Sequence, residues 1–259
     1  EALYDWEHIT GALAGETPWW EPGQGHGYHA VTFGWLVGEV VRRISGRSLG
    51  TYFREEIAEP LGADFHIGLP DEEHDRVAEM SAIPMDAPPG GEGLSLAMTF
   101  LRDPQGMTAR AFMNPPSLAK GPNVPEWRRA EIPGANGHAT ARGIARIYGA
   151  VAMAGEGGTP HVIGRESVER CRQELSRGRD LVLQVETRFG HGFMLPQGRP
   201  GTDFGPSPGA FGHPGAGGSV GFADPENRLG FGYVMNRMGP HILLDPRAVA
   251  LVDATYTGV

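Results

Sequence analysis

The chain has 259 residues, 22 Lys and Arg against 31 Asp and Glu, a net charge of −9 and a hydrophobic content of 40%. That length suffices for a sizeable core in one large domain or two lobes. The acidic balance, with arginines scattered rather than clustered, argues against a nucleic-acid partner, and no stretch approaches the 18 apolar residues of a membrane span.

In chain order, the opening segment Glu1-Ala-Leu-Tyr-Asp-Trp-Glu-His8 is acidic and amphipathic, unlike a signal or transit peptide, and residues 3–14 are expected to form a short helix. Residues 16–30 read as a Pro-, Gly- and Trp-rich loop that delivers Tyr28. A helix follows over 32–45. Phe33, Leu36, Val37, Val40, Val41 and Ile44 recur at 3–4 spacing, with Thr32 to cap its start and Gly46 its end, and that stripe is expected to be core. A second helix is expected over 48–58 with Ser48 as N-cap, and further helices over 94–103, 106–113, 139–154 (capped by Thr140) and 166–175.

The pattern then changes. Residues 188–196, 210–213, 219–223 and 228–236 are short strand candidates, Asp224-Pro-Glu-Asn-Arg228 suits a hairpin connection, and 245–256 is expected to close the chain as a helix. A helix-rich part over 1–185 that carries Tyr28, followed by antiparallel strands and a helix over 186–259, is an α+β arrangement within one domain. Were the strands of 219–236 central, a sheet edge would be left unpaired, which points to further chain upstream of Glu1.

Several patterns compete to carry chemistry. Cys171 is the only cysteine, which excludes an internal disulfide and a cysteine-based zinc site, fits a reducing, cytoplasmic compartment, and lies in a charged helix-like stretch that does not suit a nucleophile. His26-Gly-Tyr-His29 has no third ligand at metal-binding spacing, so no metal and no cofactor is expected. Gly217-Gly-Ser219-Val-Gly221 matches a nucleophile elbow, but that elbow needs a helix after the serine and an acid and a histidine further on, and the residues after Ser219 read as strand–turn–strand. Ser117-Leu-Ala-Lys120 matches Ser-x-x-Lys literally, yet Pro115-Pro116 and Gly121-Pro122 flank it, and a lysine that takes a serine proton needs both residues on one face of a helix start.

Two segments carry a resemblance. Pro22-Gly-Gln-Gly-His-Gly-Tyr28, with the helix after it and Pro60-Leu-Gly62, and Phe211-Gly-His213-Pro-Gly215-Ala-Gly-Gly-Ser219-Val-Gly-Phe-Ala-Asp224-Pro225, resemble the serine β-lactamase/penicillin-binding-protein-like family. They are most similar to its esterase branch, the family VIII carboxylesterases and class C β-lactamase-like proteins. The resemblance implies a β-lactamase-like fold, a helical lobe packed on an antiparallel sheet with flanking helices, whose first strands and nucleophile helix lie upstream of Glu1. It implies acyl transfer through a serine ester, with Tyr28 as proton carrier and His213 where β-lactamases carry the lysine of Lys-Thr-Gly. The lysine of the family's Ser-x-x-Lys would supply one cation that favours a phenolate at Tyr28, and His213, when protonated, a second.

Gly215, Ala216 and Gly217 would border the substrate, the Ala216 amide completing an oxyanion hole. The nucleophile of a Ser-x-x-Lys should precede Tyr28, and the 27 residues before it contain no serine. Ala30 stands where β-lactamases carry the Asn of Tyr-x-Asn, and with His213 it shifts the expected substrate toward small neutral esters. Trp19, Trp20, Phe112 and Trp127 are candidates for an apolar acyl pocket. The alternatives on the same fold are a β-lactamase or D-amino-acid peptidase, an amidase, an acyltransferase, or a non-catalytic truncated homologue. The chain alone is expected to be inactive, and its partners to be its own N-terminal segment or a second copy.

Overall fold

The structure is a computed structural model that describes residues 2–83, 91–115, 118, 121–156, 162–199 and 201–258, with only the helical backbone at 91–95. Ser117 and Lys120 lie outside the described residues. None of the helices described is long and apolar enough to cross a membrane.

The helical part begins with α1 (Trp6–Gly15), whose N-cap Asp5 accepts the His8 N–H. The next helix, α2 (Thr32–Ser45), ends at Gly46 in the left-handed conformation (φ 72°), as its sequence predicts. Thr32 is not the cap; it is the first helical residue, and its hydroxyl meets His29 Nδ1 at 2.9 Å.

The larger correction concerns which face of α2 is covered. Gly34, Trp35 and Gly38 form the buried face: a Cβ at Gly34 would collide with the backbone of Pro133 and Gly134, and one at Gly38 with the Trp6 ring. The stripe of Phe33, Leu36, Val37, Val40 and Ile44 is exposed, from 41% at Leu36 to 82% at Ile44. Periodicity identifies an apolar stripe but not what meets it. Here two glycines let α2 approach its neighbours by its other side.

Three short pieces continue the chain: α3 (Leu49–Phe53), a π-helical turn over Arg54–Ala58, and α4 (Glu59–Leu61), which runs past the expected end to Gly62. Strand β1 (Phe65–His66) pairs antiparallel with β2 (His138–Ala139). Between them lie α5 (Gly91–Arg102), α6 (Met107–Met113) and α7 (Pro125–Arg129). Trp127 of α7 packs with Leu3, Trp35 and Ile132 in a buried cluster, so it belongs to the core of the helical part rather than to an acyl pocket.

His138 Nδ1 is buried without a partner, and burial, reinforced by Arg128, pushes the imidazole pKa down to about 4. The unfolded chain therefore takes up a proton between pH 6.5 and about 4 that the fold excludes, and stability present above pH 6.5 is lost as pH falls through that window. A His138→Gln variant should lose less of its urea midpoint between pH 7 and pH 5 than the parent; equal losses would assign the proton elsewhere.

Helix α8 (Ala141–Ala152), capped by the Thr140 hydroxyl on the Gly143 N–H, and α9 (Arg165–Cys171) lead into the strands. These are β3 (Ser176–Arg179), β4 (Glu186–Phe189), β5 (Phe211–Pro214), β6 (Val220–Asp224) and β7 (Leu229–Tyr233), followed by α10 (Pro246–Tyr256). The expected helix over 166–175 stops at Cys171, and β3 follows it. Hairpin β3–β4 joins β5 through Met194, which bridges Phe189 and Gly212, so the expected strand over 188–196 is a shorter strand, a turn and one residue with a bridge on each side. β6 lies between β5 and β7 and is buried throughout, and β7 is last in the order among the described residues.

Helix α8 lies on one face of β6–β7 and touches it through glycines. A Cβ at Gly230 would sit 2.0 Å from the Gly149 amide nitrogen, and one at Gly232 would sit 2.5 Å from the Ala141 carbonyl. On the other face Phe222 stacks on Phe204 and Phe231, packed with Ala248 and Val252 of α10. Glycine weakens a strand in isolation, so packing of the helix explains its use here. Gly230→Ala should cost about 1–3 kcal/mol by overpacking, because the obstacle is backbone. An unchanged urea midpoint would show that α8 slides freely on the sheet.

Candidate functional site

The loop before α2 is fastened to the β3–β4 hairpin. The Leu181 N–H donates to the His26 carbonyl (3.0 Å), and His26 Nε2 meets the Thr187 hydroxyl at 2.8 Å. Trp20 donates from Nε1 to the Gly25 carbonyl, and its ring covers Gly27, where a Cβ would lie 2.6 Å from it.

At the centre of this junction is Asp180, fully buried at the start of the hairpin turn. Its Oδ1 accepts the Val182 and Leu183 amides (2.8 Å each) and, from across the junction, the Tyr28 amide (3.1 Å). Its Oδ2 accepts the Thr187 hydroxyl at 3.4 Å. One carboxylate thus closes a turn and sets the backbone position of Tyr28. Sequence reading missed Asp180; the available signal was an Asp preceding the short apolar run Leu181-Val-Leu183, where its side chain bonds amides two and three residues on.

The half-buried Tyr28 ring lies against Phe189 of β4 (centroids 6.3 Å, planes 21° apart) and His213 of β5 (5.8 Å, 26°). The fold thereby brings together two residues 185 positions apart. Burial, reinforced by Asp180, pushes the Tyr28 phenol up to about 12. Burial pushes the His213 imidazole down, opposed by the contact of Nδ1 with the Pro214 carbonyl at 2.6 Å. The downward shift at His213 works against the protonated form in which it would act as a cation for Tyr28. The Nδ1–H tautomer, donating to Pro214, leaves Nε2 as an acceptor.

Beyond His213 the chain reverses between β5 and β6. The Gly218 amide donates to the Gly215 carbonyl (3.0 Å) and the Gly215 amide to the Ser219 carbonyl (2.7 Å), with Gly217 and Gly218 at φ 88° and 127°. Ala216 at the tip of this turn is exposed, while Gly217 behind it is buried. Ser219 Oγ occupies the space beside Gly215, and β6 begins at Val220, so the strand–helix geometry of a nucleophile elbow is absent at Ser219.

His26 and His29 are each engaged by a threonine, and among the described residues no group of three His, Cys, Asp or Glu is arranged to hold a metal. Trp19 stacks under the Arg110 guanidinium at 4.4 Å, and Phe112 packs on Phe100 at 5.9 Å. A polar cavity of about 300 Å³ between Glu169, Arg172, Arg188 and Pro208 contains none of the Tyr28–His213 group.

A model of the β-lactamase family matches residues 1–254. The chain belongs to the β-lactamase family. It is 37% identical over 225 residues to the esterase/β-lactamase LipL of Mycobacterium tuberculosis, covering 84% of this chain and 50% of that protein. Among solved structures it is similar to a penicillin-binding protein homologue from Caulobacter crescentus (42% identity, TM-score 0.84), covering 99% of this chain and 65% of that one. A family VIII carboxylesterase is similar as well (40% identity, TM-score 0.82), with 100% of this chain and 65% of that one covered.

The chain thus spans half of the curated relative and 65% of these two structures. The mixed helical and antiparallel architecture above is the β-lactamase fold of this family.

Proposed function

We propose that the full-length protein hydrolyses carboxylic esters through an acyl-serine intermediate, with the nucleophile in a Ser-x-x-Lys outside these 259 residues. The observation that carries this reading is the stacking of Tyr28 on His213 beside the exposed Ala216 tip of the β5–β6 turn. Support comes also from relatives of 37–42% identity named as esterase/β-lactamase, penicillin-binding protein homologue and carboxylesterase.

In this mechanism the serine gives its proton to the Tyr28 phenolate as its oxygen bonds to the ester carbonyl carbon. The resulting oxyanion accepts from the serine's own N–H and from that of Ala216. The tetrahedral species collapses as the bond to the leaving alkoxide breaks, and Tyr28 passes a proton to that alkoxide. Water then attacks the acyl-serine along the reverse proton path and frees the acid. A phenol raised to about 12 holds its proton near neutral pH, so its phenolate form requires a nearby cation. The lysine of Ser-x-x-Lys has that role. Ala30 offers no amide, and His213 no permanent charge, to a substrate carboxylate, which favours neutral esters over β-lactams and peptides ending in carboxylate.

The test is labelling of the full-length protein by a fluorophosphonate, with the adduct mapped by peptide mass. An adduct on the serine of an upstream Ser-x-x-Lys is expected. An adduct on Ser117 or Ser219, or none at all, overturns the reading.

A further inference from the structure

The β5–β6 turn has two consecutive glycines at φ 88° and 127°, the least self-supporting backbone a turn can have. Its own two hydrogen bonds close it through the Gly218 and Gly215 amides, and neither of them engages the Gly217 amide or the Gly217 carbonyl. Those two groups, one on each peptide flanking Gly217, are held from behind. The Gly217 amide donates to the His241 carbonyl (2.9 Å), and its carbonyl accepts the Gly239 amide (2.8 Å) and Arg247 Nη2 (2.7 Å). Arg247, in the first turn of α10, is itself immobilised. Nε and Nη2 fork onto the Asp245 carboxylate at 2.8 and 2.9 Å, and Nη1 donates to the Arg237 carbonyl at 3.0 Å. Asp245 is buried and caps α10 by accepting the Arg247 amide.

We infer that Arg247 is a positioning residue for acyl transfer: its guanidinium, fixed by Asp245, holds the Gly217 carbonyl and so keeps the neighbouring Ala216 amide aimed at the reacting carbonyl. The inference rests on the acyl-serine reading. The planar fork is what the geometry uses, since donors in three directions meet Gly217, Asp245 and Arg237 at once, and a lysine offers one point of charge without that plane. The charge of Arg247 is spent on Asp245, so its contribution is orientation rather than attraction of an anionic substrate. The turn's own bonds survive without it, so its loss should loosen the amide rather than unfold the sheet.

The test uses full-length enzyme, p-nitrophenyl acetate and a boronic acid that becomes tetrahedral on the serine. In Arg247→Ala, kcat should fall about 10- to 100-fold, as for a misplaced catalytic group, with KM changed less than about twofold. Boronic acid affinity should fall in proportion to kcat/KM, and added guanidinium ion should restore part of kcat. Arg247→Lys, which keeps the charge and stem, should show the same split in milder form, and it serves where the alanine variant does not fold. Unchanged kcat in a folded variant whose serine still labels with fluorophosphonate overturns the role of Arg247 alone. So does a loss of kcat that follows lowered Tm and is not rescued by guanidinium. Failure of the wild-type enzyme to label or to bind the boronic acid overturns the acyl-serine reading itself.

Discussion

Tyr28→Phe in the full-length enzyme should lower kcat for p-nitrophenyl ester hydrolysis by about 10²- to 10⁴-fold, the range for losing a positioned proton carrier. At 1.36 kcal/mol per decade this removes about 3–5 kcal/mol of transition-state stabilisation. The substitution is clean because the phenyl ring keeps its place between Phe189 and His213, and the backbone bond to Asp180 does not involve the side chain. KM should therefore change little. A variant that retains more than about a tenth of wild-type kcat would remove Tyr28 from the chemistry.

Asp180→Ala should have the largest effect on stability. It strands the amides of Tyr28, Val182 and Leu183 and the Thr187 hydroxyl at a junction where the carboxylate is fully buried. A buried donor left without its acceptor costs about 1–3 kcal/mol, and several are stranded together, so a loss of at least about 3 kcal/mol is expected in urea unfolding. Asp180→Asn keeps the oxygen that takes the three amides but removes the charge. Because that charge helps hold the Tyr28 pKa at about 12, the Tyr28 titration in ring-labelled protein should move to lower pH. A titration that stays put would confine the role of Asp180 to the backbone.

Local pattern made the helices legible, because capping residues and left-handed glycines act within a few residues: Ser48, Thr140 and Gly46 all sit where their chemistry predicts. It also located β5, β6 and α10 to within a residue, and β7 at its start, though that strand ends three residues earlier than expected. It missed β3, because Ser-Arg-Gly-Arg has no apolar residue to alternate, and β1–β2, because two-residue strands carry no period.

The site was harder to read. A tyrosine after a glycine and a histidine before a proline are unremarkable until the fold stacks them. The resemblance to a family, not the residue pattern, brought Tyr28 and His213 together. Asp180 and Arg247 act on the backbone of residues 152 and 30 positions away, and no local pattern marks such a partner. Trp127 went the other way, because an aromatic side chain reads alike in a core and in a pocket.

The exposed stripe of α2 has a consequence for the polypeptide in solution. From Phe33 to Ile44 it runs about 16 Å along the helix at 1.5 Å per residue. A net charge of −9 sets up repulsion between molecules at long range, but salt screens it beyond about 10 Å, and at contact the stripe attracts. The colloidal behaviour of these 259 residues on their own should therefore invert with ionic strength: dispersed in dilute buffer, and increasingly self-associating as salt removes the barrier that keeps one α2 from another.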